Sequence, residues 1–347
     1  MLDAWAIAGD VCHGRAWRHP IGTIRLPVAF SQMPRSDVTP PDVEYHESHM
    51  NRRSFLLSAA AALPSVVPAN RQFVKSICSI MFPPSMPVAE RFGQAKSAGF
   101  DAIELRVGQE ISVDTSSEDV RRIGDAAEKA HVAIASLWIS GAIAANPLNS
   151  PDPDKRARGV ETVRKALDFA NWLNCGALLI VPGRLGSGAK MMVGYEDMWQ
   201  RVTAEFRKLV PYAAEKKVVL TPENVWNKFL LSPLEMRTFI DQFSTPWLQA
   251  HFDVGNVMQF GYPQDWIHVL GRRIRRVHFK DYKLSSRAEQ GRFVDLLEGD
   301  VDWKAVMAAL IDVGYRGTLS PEYDYDPADP NRIRKISQAL DKILAMA

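Results

Sequence analysis

Four short apolar segments in the second half of the chain each end in a residue that can bind a metal ion. The segments are VVLTPE ending at Glu223, WLQAHFD at Asp253, RIRRVH at His278 and GTLSPE at Glu322. The end residues are 30, 25 and 44 positions apart, about one strand–loop–helix–loop unit each with an insertion in the last. In a parallel barrel all strands end on the same rim, so these four side chains are expected to converge.

The side chains at the four segment ends define the chemistry of the expected site. Two Glu, one Asp and one His give an oxygen-rich shell with a single nitrogen ligand. Such a shell suits Mn²⁺, Mg²⁺ or Co²⁺ better than it suits a structural zinc ion, which favours thiolates. We therefore expect a divalent metal cofactor, with Mn²⁺ first and Mg²⁺, Co²⁺ or Zn²⁺ as alternatives.

An export signal is predicted over residues 50–69. Arg52 and Arg53 precede an apolar stretch over 56–67, and small residues stand before Asn70. This arrangement resembles a twin-arginine signal peptide, and an ordinary amphipathic first helix is the alternative. The apolar stretch is too short to span a bilayer, and no Cys lies near the cleavage point. We expect passage through the twin-arginine (Tat) export machinery to the periplasm or the outside, without a stable membrane anchor.

Residues 1–49 stand upstream of this signal, where no functional segment is expected. They are rich in turn-forming Pro and Gly and show no sustained hydrophobic period. We interpret them as a non-native leader that arises from an incorrect translation start, or else as a disordered leader.

The remaining chain, residues 70–347, has the size of one barrel domain. It comprises 278 residues, which is 347 less the first 69, and a (β/α)₈ barrel typically needs about 250 residues. A formal net charge of +2 gives no electrostatic argument for binding nucleic acid or a membrane. Cys78 and Cys175 are its two cysteines, so no disulfide framework is expected.

Strand-like and helix-like segments alternate from Phe73 to the end of the chain. The predicted strands are 74–80, 100–105, 132–139 and 177–183, followed by those that lead to Glu223, Asp253, His278 and Glu322. The predicted helices are 88–98, 118–130, 154–173, 195–216, 232–243, 265–270, 302–313 and 331–346. Eight such units predict a parallel sheet closed into a TIM barrel, α/β in class and a single domain.

Several stretches in this order resemble the sugar phosphate isomerase/epimerase family. They are AGFDAIELRVG (98–108), TPENVWNKFLLSPLEM (221–236), HFDVGNVMQFGYP (251–263), RVHFKDYK (276–283) and GYRGTLSPEYD (314–324). This family belongs to the xylose isomerase-like TIM-barrel superfamily, which includes ketose 3-epimerases and apurinic endonucleases. The resemblance covers about residues 73–346.

The resemblance implies a divalent metal held by Glu223, Asp253, His278 and Glu322. In isomerases and epimerases of the family the two glutamates also move the proton, which makes Glu223 and Glu322 the expected catalytic residues. A carboxylate alone does not deprotonate a C–H beside a carbonyl, but a bound cation stabilises the enediolate charge as it develops. Two carboxylates can then remove a proton from one face of the sugar and return it to the other.

Three further side chains are candidates for binding the substrate. Glu104 could bind a substrate hydroxyl group or form an internal ion pair instead. Lys280 could bind a carboxylate or phosphate, or could remain solvated. Asn256 stands where sugar epimerases of the family often carry His, and it can hydrogen-bond a substrate but cannot carry a proton. This departure weakens a direct transfer of ketose 3-epimerase activity.

The sequence leaves three classes of function open. The first is a metal-dependent isomerase or epimerase of a sugar or related polyhydroxy carbonyl compound, which is the prediction we adopt. The second is a metal-dependent lyase or hydrolase on the same barrel, although an apurinic endonuclease would need more His ligands than this chain offers. The third is an exported, non-catalytic sugar-binding protein. A homo-oligomer is compatible with the family, but the sequence identifies no interface.

Overall fold

The structure is a computed structural model that describes residues 72–285 and 291–347. The predicted leader (1–49) and the predicted signal peptide (50–69) lie outside the described residues, so both stay predictions. No helix in the described ranges is both long and apolar enough to cross a membrane.

Eight parallel strands form a nearly closed barrel, as the alternating pattern predicted. The strands are β1 Phe73–Cys78, β2 Ala102–Arg106, β3 Ala133–Trp138, β4 Ala177–Ile180, β5 Val219–Pro222, β6 Ala250–Asp253, β7 Ile274–Phe279 and β8 Gly317–Pro321. They pair in the order β5-β4-β3-β2-β1-β8-β7-β6. Isolated bridges between Leu220 and Leu248 and between Glu223 and His251 connect β5 to β6.

Helices surround this barrel and follow the predicted segments to within a few residues. The main helices are α1 Val88–Ser97, α2 Ser117–Lys129, α3 Pro153–Trp172, α4 Tyr195–Lys216, α5 Pro233–Asp241, α6 Pro263–Leu270, α7 Trp303–Asp312 and α8 Arg332–Leu344. A single helical turn, Val254–Val257, follows β6, and 3-10 turns occupy Ser79–Met81 and Gly271–Arg273. Short antiparallel strands pair Gly186–Ser187 with Lys190–Met191 and Asp281–Lys283 with Arg292–Val294.

The hydrophobic core lies between the strands and the helices. Inside the barrel, by contrast, many side chains are either small or polar. A separate cluster of Val74, Ala102, Ala133 and Ala135 consists of small side chains on β1, β2 and β3. Beside it Arg276 is buried and its Nε donates to the carbonyl oxygen of Ala135 at 2.9 Å. Small side chains therefore leave room inside the barrel for large polar ones.

One buried carboxylate fixes the loop that follows β7. Asp281 accepts hydrogen bonds from the backbone N–H groups of Leu297 and Val301 and from the indole Nε1 of Trp303, at 2.9, 3.2 and 3.0 Å. Because buried donors are costly to leave unpaired, this carboxylate holds the loop close to the barrel rim. The same loop carries Phe293, which stacks on Trp226 beside the site.

Helix α5 begins with a complete capping box. The Ser232 hydroxyl accepts from the backbone N–H of Glu235 at 3.2 Å, and the Glu235 carboxylate accepts from the Ser232 N–H at 3.1 Å. Pro233 occupies the first turn, as the sequence predicted. Replacing Ser232 with Ala is expected to lower the free energy of unfolding by about 1 kcal/mol, measured by urea denaturation.

The control for this prediction is Ser97→Ala. Ser97 is exposed near the end of α1, and its hydroxyl donates to the Gly93 carbonyl oxygen within the same helix. Since Ala is the better helix former, this variant should be neutral or slightly stabilising. Equal losses in both variants would contradict a specific role for the capping box.

Candidate metal centre

The four residues at the predicted strand ends meet at one point on the barrel rim. Glu223 directly follows β5, Asp253 ends β6, His278 lies in β7 and Glu322 directly follows β8. One ligand atom from each of these side chains lies within 4.8 Å of all the others. Glu223, Asp253 and His278 are buried and Glu322 is partly exposed. The geometry therefore brings together the whole predicted metal shell.

Asn224 joins the ends of β5 and β6 at this point. Its Oδ1 accepts from the backbone N–H of Asp253 and its Nδ2 donates to the Asp253 carbonyl oxygen, both at 2.8 Å. These two bonds hold Asp253 beside Glu223. Asn224 was not among the predicted site residues, although its position directly after Glu223 is a signal that could have identified it.

The turn after β6 orients the carboxylate of Asp253. Its Oδ1 caps the helical turn Val254–Val257 by accepting from the backbone N–H of Asn256 at 2.7 Å. Because that oxygen is committed to the cap, the other oxygen, Oδ2, is the one that faces the site. Asp253 is thus both a helix cap and a candidate ligand.

One ring nitrogen of His278 faces the acidic residues. Nδ1 lies 3.2 Å from Glu223 Oε1, 3.0 Å from Glu322 Oε2 and 3.9 Å from Asp253 Oδ2. Three carboxylates around one imidazole nitrogen form a site where a cation would be shared among all four side chains. A neutral imidazole presents a lone pair on the nitrogen that carries no proton.

The other ring nitrogen of His278 faces the barrel interior. Nε2 lies 2.9 Å from Glu104 Oε1 and 3.4 Å from the Sγ of Cys78, and the Ser136 hydroxyl donates to Glu104 Oε2. Burial alone would lower the pKa of His278, but the Cys78 thiol and the carboxylates of Glu104 and Glu322 raise it above its usual range. The raised pKa favours the imidazolium, with a proton on each nitrogen. A metal bound at Nδ1 would displace one proton and leave the Nε2–H donating to Glu104.

The contacts of Glu104 correspond to the second of its two predicted roles, an internal ion pair. Its carboxylate is 1% exposed and lies under His278 rather than at the mouth of the site. Cys78 and Ser136, which complete this pairing, were missed because on β1 and β3 they are hard to distinguish from core residues. A substrate contact for Glu104 stays an untested prediction.

The donor atoms fit a divalent cation. Asp253 Oδ2 and Glu322 Oε2 are buried, and neither accepts a well-directed hydrogen bond from the described residues. Lys280 Nζ lies 3.1 Å from Asp253 Oδ2 and 2.6 Å from Glu322 Oε2, so these ion pairs offset part of the negative charge. Buried oxygens that lack directed donors, beside the Nδ1 of His278, are the kind of ligands that Mn²⁺ and Mg²⁺ accept.

Burial and charge shift the acidities of the three carboxyl groups in different directions. Burial raises the pKa of Glu223 to about 7 and also raises the pKa of Asp253. Burial acts in the same sense on Glu322, but the charges of Lys280 and His278 outweigh it and hold the pKa of Glu322 below its usual range. Two otherwise similar glutamates therefore experience different electrostatic surroundings.

Lys280 reaches the centre because a glycine lies opposite its backbone. A Cβ added at Gly255 would lie 2.6 Å from the Cβ of Lys280 and 2.8 Å from its carbonyl oxygen, so a side chain there would displace Lys280. The Lys280 ammonium also lies over the ring of Phe293, 5.4 Å from its centroid. The predicted substrate contact of Lys280 stays a prediction, and its position on the cavity wall is compatible with it.

Asn256 and His251 lie around the shell rather than in it. The Asn256 Nδ2 donates to the Asn224 carbonyl oxygen at 3.0 Å, and the Asn256 carbonyl oxygen accepts from Trp226 Nε1 at 2.9 Å. His251 is buried, and its ring packs against that of His278 with 4.1 Å between the centroids. The predicted substrate contact of Asn256 stays a prediction.

A cavity of about 910 Å³ opens above the centre. Glu223, Lys280 and Glu322 line it, together with Trp226 and loop residues that follow β3 and β4. Trp226 also packs against Tyr282, Phe260 and Phe293, so aromatic rings form one side of the mouth. The candidate ligands are therefore open to a small organic molecule from the carboxyl end of the barrel.

Comparison with known proteins agrees with this geometry. A family model described as "Xylose isomerase-like TIM barrel" matches residues 92–344. The L-ribulose-5-phosphate 3-epimerase UlaE of Salmonella paratyphi C (strain RKS4594) is 27% identical over 271 residues, which cover 74% of this chain and 88% of that protein. UlaE proteins from other Salmonella strains match to the same extent.

Two solved structures with the same fold are described as sugar epimerases. A D-psicose 3-epimerase from Clostridium cellulolyticum H10, solved with D-tagatose, has a TM-score of 0.67 and 16% identity and covers 79% of this chain and 99% of its own. An L-ribulose 3-epimerase has a TM-score of 0.64 and 20% identity, and the match covers 79% of this chain and 94% of that protein. At these identities the structures establish the common fold.

Proposed function

Since the chain belongs to the xylose isomerase-like TIM-barrel family, we propose that it is a divalent-metal-dependent isomerase or epimerase of a sugar or related polyhydroxy carbonyl compound. The observation that carries the proposal is the convergence of Glu223, Asp253, His278 and Glu322 within 4.8 Å beneath an open cavity. Similarity to sugar epimerases supports the same class of reaction.

The order of the strands suggests how the two glutamates share the chemistry. Strands β6 and β7, which carry Asp253 and His278, lie between β5 and β8, which lead to Glu223 and Glu322. The two glutamates therefore flank the other two ligands. In the proposed reaction one of them removes the proton from the carbon beside the substrate carbonyl, and the other returns a proton to the opposite face.

The remaining residues of the centre hold and orient these groups. Asp253 and His278 act as ligands, and Glu104 keeps the His278 Nδ1 directed at the site through its hydrogen bond to Nε2. A divalent cation held by the four side chains would stabilise the negative charge that develops on the substrate oxygen. Mn²⁺ is the ion we assign, because hard oxygen ligands dominate the shell and one imidazole joins them.

The test is exchange of a carbon-bound hydrogen with solvent. The Mn²⁺-loaded full chain is incubated in D₂O with single ketoses such as D-fructose, D-tagatose and L-ribulose, and the products are analysed by NMR spectroscopy and mass spectrometry. We expect deuterium at the carbon beside the carbonyl, with inversion there for an epimerase or a shifted carbonyl for an isomerase. Loss of water from the product would indicate a lyase, and sugar binding without any exchange would indicate a sugar-binding protein. Either result would overturn the proposal.

A further inference from the structure

The cavity above the metal centre extends well beyond the residues that would handle the proton. Glu223, Lys280 and Glu322 line its inner part. The outer part is formed by Trp138, at the end of β3, and by the loops that follow β3 and β4, which contribute Ile143, Ala145, Pro147, Asn149 and Arg184. A substrate bound over the glutamates therefore has a continuous, walled space beside it.

The size of the cavity exceeds the needs of one sugar ring. Its volume is about 910 Å³. Ligand pockets of roughly 300–1,000 Å³ bury most of the surface of a drug-sized molecule, and this cavity lies near the upper end of that range. A single ketose is smaller than such molecules, so it would leave the outer part to water.

The side chains of the outer part suit a second ring. Ile143 is buried and Ala145 and Pro147 add apolar surface, while Asn149 supplies a polar amide. Trp138 ends β3, and its Nε1–H is buried without a hydrogen-bond partner from the described residues. An indole ring offers a flat apolar face and one donor, and a buried donor of this kind needs an acceptor.

The N-terminus of helix α3 is not available to a phosphate group. Helix α3 begins at this wall, and a free helix N-terminus would attract an anion. Here Asp152, which lines the cavity, caps that helix by accepting from the N–H groups of Asp154 and Lys155 at 2.9 and 3.4 Å. These two N–H donors are already used, and a carboxylate stands at their position. Lys155 and Arg184 also line the cavity, and Asp152 balances part of their charge.

We propose that the substrate is a two-unit sugar, such as a glycosylated ketose. The reacting unit lies against Glu223, Lys280 and Glu322, and the second ring fills the outer part beside Trp138 and Ala145. This proposal rests on the proposed function, because it takes the reacting unit to be a sugar placed over the candidate metal ligands.

Binding of matched probes to the Mn²⁺-loaded full chain tests the proposal. Isothermal titration calorimetry compares D-fructose with the ketose disaccharides lactulose and isomaltulose and with D-fructose 6-phosphate. We expect at least one disaccharide to bind about tenfold or more tightly than D-fructose, because the second ring contacts surface that D-fructose leaves uncovered. Tightest binding by the phosphate, or no gain for either disaccharide, would overturn the proposal.

Two variants locate the second ring within the cavity. Ala145→Trp fills the outer part and should weaken disaccharide binding about tenfold while D-fructose and Mn²⁺ bind as in the parent. Ala144→Trp, at the neighbouring cavity position, serves as a second variant if the first does not fold. Ala89→Trp, on an exposed position of α1, is the matched control. Unchanged disaccharide binding in a folded variant would contradict the assignment.

Solvent exchange separates this proposal from the proposed function. A disaccharide that binds in the outer part without deuterium exchange would leave the two-unit site standing and reject the isomerase or epimerase activity. Deuterium exchange in D-fructose, together with no gain in affinity from a second ring, would support the isomerase or epimerase activity and reject the two-unit site.

Discussion

Replacing Glu322 with Gln is expected to lower the rate of solvent hydrogen exchange by about 10²–10⁴-fold, and Glu223→Gln should have a comparable effect. Gln has nearly the same shape as Glu and keeps an oxygen that can contact a metal, but it cannot accept the proton. The measurement is deuterium incorporation into the substrate, carried out after the bound Mn²⁺ of each variant has been quantified. Loss of exchange with metal still bound is the expected result.

Asp253→Asn separates ligation from proton transfer. We assign Asp253 only to the metal, since its Oδ1 is used by the cap of the turn that follows. Raising the Mn²⁺ concentration should therefore restore exchange in Asp253→Asn but not in Glu322→Gln. Glu118→Gln, on the exposed face of α2, makes the same chemical change outside the site and should behave as the parent. Full exchange by a metal-loaded Glu322→Gln variant would show that Glu322 does not transfer the proton.

Much of the fold could be predicted because the alternation of strands and helices is a local pattern. Helix α4 was predicted over the residues it occupies, Tyr195–Lys216, since its apolar positions recur over six turns. The ends of strands could also be predicted where a residue able to bind a metal closes an apolar run, as at Glu223 and Asp253. The rim geometry of a parallel barrel then follows from the fold class alone.

The support beneath the ligands could not be predicted in the same way. Cys78 and Ser136 lie on β1 and β3, and only the closed barrel brings them next to Glu104 and His278. Spacing along the chain carries no information about such contacts between distant strands. For Glu104 the sequence offered two alternatives, and its hydrogen bond to His278 favours the interior one.

This hydrogen bond leads to a second large expected effect, on metal affinity. Glu104→Leu removes the acceptor of the His278 Nε2–H while keeping a side chain of similar size. The buried Nε2–H would then lack its main partner, and the ring would no longer be held with Nδ1 toward Glu223 and Glu322. Loss of such a supporting carboxylate typically weakens metal binding by about 10–100-fold, which we expect for Mn²⁺ by calorimetry.

Two comparisons make this prediction specific to the histidine. Glu104→Gln still presents an amide oxygen to the Nε2–H, so it should recover most of the Mn²⁺ affinity. Glu205→Leu removes an equally buried carboxylate, paired with Arg156 and Lys208 away from the centre, and should cost stability without changing Mn²⁺ affinity. ¹⁵N NMR of the histidine rings in the Mg²⁺-loaded parent gives a reading that does not depend on activity: with the metal on Nδ1, the His278 proton should reside on Nε2. Parent-like Mn²⁺ binding by a folded Glu104→Leu would mean that the strands alone position His278.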